Sequence, residues 1–332
     1  MSRAANLTKT GKFRPSLRRY GCFQKMTLKN LLSGDPGIGP CILGIGTFDG
    51  VHLGHRALIA SIINEARIAG LPAVIFTFDH SPRKLLNPKI FKGYLTTPEE
   101  KFSLLLGTGI DYVVFRPFDE FFARVSHHDF VKQIICDSLD AQTTFVGFNF
   151  FFGARRTGTA QTLAKLLHEN QRACRVIEPV KIDDEIVSSS IIRQAIAEGD
   201  FVRANRFLGR ESSFSGEVVH GDHRGRAMGF PTANLQLEQS EKILPPNGVY
   251  ACFADTPHGS FKAIVNVGIR PTFNRSNHLL EAHLLGFDGD LYHRTIRIRF
   301  CKRIRAEKKF PDMQSLSQQI RHDQAAAESM LV

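Results

Sequence analysis

Residues 41–55 read CILGIGTFDGVHLGH. The first six are a β-rich apolar run, and a turn with Gly46, Gly50 and Gly54 follows it. A helical pattern then begins, with Leu58, Ile62 and Ala66 on one face. A strand, a glycine turn and a helix in that order place a helix N-terminus at the carboxyl end of a strand. Free backbone N–H groups and the positive end of the helix dipole suit phosphate there. His52 and His55 are three apart and share one face at that N-terminus, where each imidazole can donate to a polyphosphate. The spacing is neither the GxGxxG dinucleotide fingerprint nor the P-loop, which argues against a dinucleotide oxidoreductase and a Walker NTPase.

Outward from this turn, the same alternation continues. Apolar runs at 73–78, 112–117, 144–148 and 175–180 are separated by helical patterns. One opens as a capping box at Thr97 with Pro98 and Glu100, and another spans about 119–139. This predicts a parallel sheet wrapped by helices, a Rossmann-like α/β domain. From Phe214 the pattern changes to consecutive strands at 214–220, 248–255, 261–268, 278–286 and 291–301, then a helix at 312–330. Strict alternation over Thr295 to Phe300 is that of a half-buried antiparallel strand. A small antiparallel β-barrel closed by a terminal helix is expected. The expected division is a basic, poorly ordered extension at 1–34, an α/β domain at 35–206, a linker at 207–213 and a barrel domain at 214–330.

Composition agrees with two domains. The chain has 332 residues, 42% hydrophobic and 23% charged. No apolar run is long enough to span a membrane. The net charge of +11 is concentrated at one end: residues 1–34 hold eight Lys and Arg and no acid, leaving 35 basic against 32 acidic residues beyond. A nearly neutral body does not read as a nucleic-acid or membrane-surface binder. The tail is a solvated arm, a transit segment or an anion-binding arm, and Met26 is an alternative start. Six scattered cysteines without a CxxC pair fit reduced thiols in a cytoplasmic protein.

The barrel half carries its own phosphate motif. His220 and Gly221 precede GRAMGFPTAN at 225–234, where Gly221, Gly225 and Gly229 allow close approach to phosphates. Thr232 and Asn234 are oxygen donors two apart, suited to a hard cation such as Mg²⁺.

GTFDGVHLGH resembles the HxGH nucleotidyltransferases, and in particular the bacterial bifunctional riboflavin kinase/FMN adenylyltransferase family. VGFNFFFG at 146–153 and SSSIIR at 188–193 resemble that family's nucleotide loop and its serine/threonine–arginine signature. GRAMGFPTAN, NGVY at 247–250, NVGIRPTF at 266–273 and Glu281-Ala282-His283 resemble its kinase domain. Class I tRNA synthetases also use an HIGH-type motif, but their KMSKS-like loop is missing here.

The resemblance implies two reactions. FMN would be formed from riboflavin and ATP in the barrel, and FAD from FMN and ATP in the α/β domain, both with Mg²⁺. His52 and His55 would hold the phosphates in the first site. Gly46, Phe48, Asp49, Gly54, Asn149, Ser189, Ser190 and Arg193 would bind ATP, and Phe148 and Phe150 the flavin. In the second site Glu281 would be the general base. Gly221, Gly225 and Gly229 would face the phosphates, Thr232 and Asn234 the metal, and Arg270 and Thr272 the flavin. The partners expected are these small molecules, with no nucleic acid and no membrane, in a monomer or weak homo-oligomer. The chain departs from the family at Thr47, where Asn is common, and at Ser190, where Thr is. His80-Ser81-Pro82 replaces Pro-His-Pro, and His293 stands where Gly is common.

Overall fold

The computed structural model describes residues 24–27, 38–221, 225, 229–237, 241–272 and 275–331; for 24–27, 269–272 and 275–279 it describes the backbone alone. The first half is built on a parallel sheet of β1 (Gln24–Thr27), β2 (Cys41–Ile45), β3 (Ala73–Phe78), β4 (Tyr112–Arg116), β5 (Ala141–Gly147) and, after the hairpin of β6 (Phe151–Phe152) and β7 (Gly158–Thr159), β8 (Ala173–Ile177). Their order is β1-β4-β3-β2-β5-β8. The chain runs outward from β2 to β4, then returns to β2's other side with β5. That reversal puts a topological switch point at the carboxyl ends of β2 and β5, where α/β sheets bind ligands. β1 is made of four residues of the 1–34 segment expected to be poorly ordered. They pair in parallel with β4 at the sheet edge, and residues 1–23 and 28–37 lie outside the described residues.

Helices cover both faces of the sheet. The helix α1 (Leu53–Ala69) buries Leu58, Ile59, Ile62 and Ala66, the stripe its sequence spacing predicts. It starts at His52, whose side chain accepts from the His55 N–H, and stops at Gly70 in the left-handed region. Next come α2 (Pro82–Leu86) and α3 (Pro98–Leu106). Both arms of the α3 capping box form between Thr97 and Glu100. The helix expected over 119–139 is broken into α4 (Glu120–Ala123), α5 (His127–Asp129) and a π-helical stretch, Phe130–Ser138. Asp119 caps the expected start, and Ser126 caps a new one inside the range, which periodicity alone does not reveal. The half ends with α6 (Ala160–Glu169), the small ribbon of β9 (Lys181–Ile182) and β10 (Glu185–Ile186), and the pair α7 (Ser189–Glu198) and α8 (Phe201–Leu208).

The second half is a closed barrel in the order β11-β12-β15-β14-β13-β16. The strands are β11 (Ser212–Val219), β12 (Ala233–Leu237), β13 (Gly248–Thr256), β14 (Gly259–Thr272), β15 (Arg275–Leu284) and β16 (Thr295–Ala306), and α9 (Met313–Met330) follows. β12 is not among the strands expected from the sequence; its first two residues, Ala233 and Asn234, end the GRAMGFPTAN motif. α7 and α8 put Ile192, Ile196, Phe201, Phe207 and Leu208 into one core with barrel residues such as Tyr250 and Phe300. α8 ends at Leu208 and β11 begins at Ser212, so only 209–211 of the expected 207–213 linker stand between elements.

Candidate functional sites

The turn between β2 and α1 is held in a conformation few sequences adopt. Phe48 and Val51 both have positive φ, +48° and +39°, strained values for an aromatic and a β-branched residue. Burial compensates: Phe48 is 1% and Val51 0% exposed. Phe48 therefore packs beneath the turn, its ring 5.2 Å from that of His55, so only its backbone can face a nucleotide.

His52 and His55 stack with centroids 3.6 Å apart. The His52 Nδ1 accepts the His55 N–H at 3.3 Å, which leaves Nε2 to carry the ring proton. Burial pushes the His52 pKa down to about 4 against the opposing pull of Asp49. Burial, then the neighbouring His52, holds His55 well below the usual range. His55 Nδ1 is buried and has no hydrogen-bond partner among the described residues. The site thus holds two neutral imidazoles whose protonation an arriving polyphosphate would favour.

Asp49 joins the turn to distant segments. Its carboxylate accepts from Leu95 N at 3.0 Å and Thr96 N at 3.1 Å, and it pairs with the Arg193 guanidinium. Ser189 Oγ donates to the Asp49 carbonyl at 2.9 Å. The serine–arginine segment thus lies against the histidine turn, with Ser189 and Arg193 already engaged in holding it. Ser190 Oγ accepts from Arg83 at 3.4 Å. A cleft at the ends of β2 and β3 is lined by Thr47, Asp79, His80, Ser81, Tyr94 and Lys101. His80, the shifted imidazole, faces this cleft, 3.4 Å from the Tyr94 hydroxyl. Asn149 lies in the turn after β5, next to β2 in the sheet. Of the nearby phenylalanines, Phe145 and Phe152 are buried while Phe148 is 43% and Phe151 47% exposed. Phe150 packs against the core and stacks on Phe152. Phe148 is available to a planar ligand; Phe150 is largely spoken for.

Sequence reading missed Lys101. Its ammonium donates to the Thr47 carbonyl at 3.3 Å and to the Phe78 carbonyl, tying the ends of β2 and β3 together. Burial pushes its pKa down to about 8. The signal was present: Lys101 and Leu105 form the buried stripe of α3, and a lysine at an apolar-face position needs a partner. Arg210 was also missed; it donates to Val51 O at 3.4 Å.

In the barrel, strand register aligns the second set. Asn234 and Asn266 both pair with Glu281, from β12 and β14 on either side of β15. The flanking Leu235, Leu280, Ala282, Val265 and Val267 point into the core, so these three polar residues share the outer face. Asn234 is 7% exposed, and its Oδ1 is buried without a partner among the described residues. A Cβ on Gly221 would lie 2.2 Å from Asn234 Nδ2, and one on Gly225 2.4 Å from Phe230 O. Both glycines are demanded by close approach. His283 Nδ1 lies 2.8 Å from Pro231 O and so tethers the loop before β12. Gly229 and Thr232 lie in that loop, and Arg270 and Thr272 at the end of β14. The side chains of Arg270 and Thr272 lie outside the described residues, as do residues 226–228 of the glycine loop. His293 has φ +59°, the region glycine prefers, which accounts for the residue usual at that place.

Comparison with known proteins matches two families in succession along the chain. A family model described as FAD synthetase matches residues 37–191, and one described as riboflavin kinase matches 208–331. A Bacillus subtilis protein named bifunctional riboflavin kinase/FMN adenylyltransferase is 37% identical over 292 residues, 86% of this chain and 91% of that one. An Escherichia coli K12 protein of the same name is 35% identical over 291 residues, again 86% and 91%. A Streptococcus pneumoniae crystal structure, solved under the name macrolide-efflux protein, superposes with a TM-score of 0.82 at 29% identity, covering 92% of this chain and 98% of that one. Among the described residues of this chain, no helix is long and apolar enough to cross a membrane.

Proposed function

The chain belongs to the bifunctional riboflavin kinase/FMN adenylyltransferase family, and from that premise we propose how its residues divide the two reactions. The protein phosphorylates riboflavin to FMN with ATP, and it adenylylates FMN to FAD with a second ATP, releasing pyrophosphate.

In the α/β half, an FMN phosphate oxygen attacks the ATP α-phosphorus, the bond to the bridging oxygen breaks, and pyrophosphate leaves. No protein nucleophile is needed, so the residues position the reactants and meet developing charge. His52 and His55 hold the phosphates, and the helix N-terminus with Gly46 and Gly54 gives backbone room. Ser189, Ser190 and Arg193 border the pyrophosphate end, with Arg193 also fixing Asp49. Asn149 and Phe148 border the nucleotide and flavin. The observation that carries this reading is the stacked, buried histidine pair at a helix N-terminus on the switch point.

In the barrel half, the riboflavin 5′-hydroxyl oxygen attacks the γ-phosphorus. Its proton passes to the Glu281 carboxylate, and ADP leaves. Gly221, Gly225 and Gly229 let backbone approach the phosphates, and Arg270 and Thr272 border the flavin. Asn234 Oδ1, buried and unpartnered, fits a Mg²⁺ ligand, with the Thr232 hydroxyl beside it. When bound, Mg²⁺ neutralises charge on the phosphates.

The test is a time course with riboflavin, ATP and Mg²⁺, the flavins resolved by chromatography. FMN is expected first and FAD second. His55→Ala should slow FAD formation by at least ~10²-fold and leave FMN formation intact. Glu281→Ala should do the reverse, still converting supplied FMN to FAD. Loss of both activities in either variant would sink the two-site assignment.

A further inference from the structure

Apart from the core it shares with α7 and α8, the barrel half reaches into the α/β half through residues 241–243. Tyr94 N donates to Glu241 O and Ile243 N to Tyr94 O, both at 2.9 Å, a parallel bridge centred on Tyr94 and Lys242. Gly93 has φ +108°, and a Cβ there would lie 2.9 Å from Ile243 N, so the two backbones touch. Lys242 carries its ammonium across the junction. It donates to the two Glu100 carboxylate oxygens at 2.8 and 2.7 Å and to Ser213 O at 2.5 Å. It also lies 4.9 Å from the centroid of the Phe214 ring. Its side chain is only 7% exposed.

What the barrel grips is the strap 93–101, and the strap's other side holds the adenylyltransferase site. The Gly93 carbonyl accepts Arg193 Nε at 2.9 Å. Leu95 and Thr96 donate to Asp49. The Tyr94 hydroxyl accepts Ser81 N at 3.3 Å and meets His80. Glu100 accepts Thr97 N at 3.0 Å, and the next residue, Lys101, ties the ends of β2 and β3. The first turn of α3 therefore points one residue at the barrel and the next at the phosphate turn.

We propose that barrel residues 241–243 are a positioning element of the FAD-forming site, with Lys242 the positioning residue acting through Glu100 and the strap. Riboflavin phosphorylation makes no use of this contact. The inference rests on the assignment of FAD formation to the α/β site. A full-length wild-type chain that makes FMN from riboflavin, yet no FAD from supplied FMN, fails that assignment before any variant is made.

The experiment measures both activities in the same samples of full-length enzyme. Lys242→Met should lower kcat for FAD formation roughly tenfold or more, since a misplacement of about 1 Å far from the chemistry costs up to ~10²-fold. KM for FMN and ATP should hold within about threefold, and riboflavin phosphorylation within about twofold, which also reports that the chain is folded. Lys242→Arg should restore most of the loss. Glu100→Gln keeps the capping-box acceptor but drops the charge facing Lys242. It should lower the same kcat, and it serves as the test if Lys242→Met does not fold. Unchanged FAD formation in a folded variant would overturn the proposal. So would parallel loss of both activities, or failure of Lys242→Arg to rescue, because a contact that merely clasps the halves would behave that way.

Discussion

A buried histidine pair makes stability depend on acid. His52 titrates near 4 in the folded chain against about 6.5 unfolded. Between those values the unfolded chain binds the proton that the folded chain refuses, so stability falls as pH falls through that window. For His52 alone the loss is about 3 kcal/mol on completing it, and His55, lowered in the same direction, adds to it. Urea denaturation at pH 7 and pH 4.5 should show the drop, and a His52→Gln, His55→Gln variant should show less of it. An equal drop in both proteins would remove the pair from the account. If the pair holds the nucleotide as proposed, added ATP should offset part of this loss, because a polyanion favours the charged rings.

At the scale of elements, each site is a turn pressed against a neighbour from elsewhere. The β2–α1 turn keeps its strained φ values because Phe48 and Val51 are buried beneath it. The segment after β11 works by proximity, with Gly221 against the Asn234 side chain. Gly221→Ala must therefore move Asn234. It is expected to lower riboflavin phosphorylation by roughly tenfold and raise the Mg²⁺ concentration needed for half activity, with conversion of supplied FMN to FAD unchanged. A magnesium titration of both reactions checks it; a kinase indifferent to the added methyl would separate Asn234 from the metal. The π-helical stretch Phe130–Ser138 has its own local logic, in which Ser126 starts a helix that the run of apolar residues then carries on.

For the whole molecule, the two halves share a core. Phe201 of α8 is fully buried, its ring centroid 4.7 Å from that of Phe300 and 5.6 Å from that of Tyr250. Asn205 spans the same junction, donating to Phe300 O and accepting from Ser212 N, both at 2.7 Å. Phe201→Ala should cost about 3–5 kcal/mol, and both activities should be lost at one lowered thermal midpoint. Separate midpoints for the two reactions would mean that the halves melt independently. Such a shared core also gives the contact between Lys242 and Glu100 a rigid base.

The sequence by itself determined what is local. The strand, glycine turn and helix at 41–69, the capping box at Thr97 and the alternation at Thr295 to Phe300 follow from backbone and periodicity rules acting over a few residues. These carried the α/β half, the barrel and the first site's histidines. Lys101 was half legible, as a lysine on an apolar stripe. Tertiary structure alone decided the pairings between Arg193 and Asp49, 144 residues apart, and between Lys242 and Glu100, 142 apart. It likewise decided that β1 is drawn from the basic extension, that β12 exists and that α7 and α8 belong to the barrel's core. Such contacts depend on where whole elements come to rest, and a charge or an apolar face in the sequence states a need for a partner without saying which one meets it.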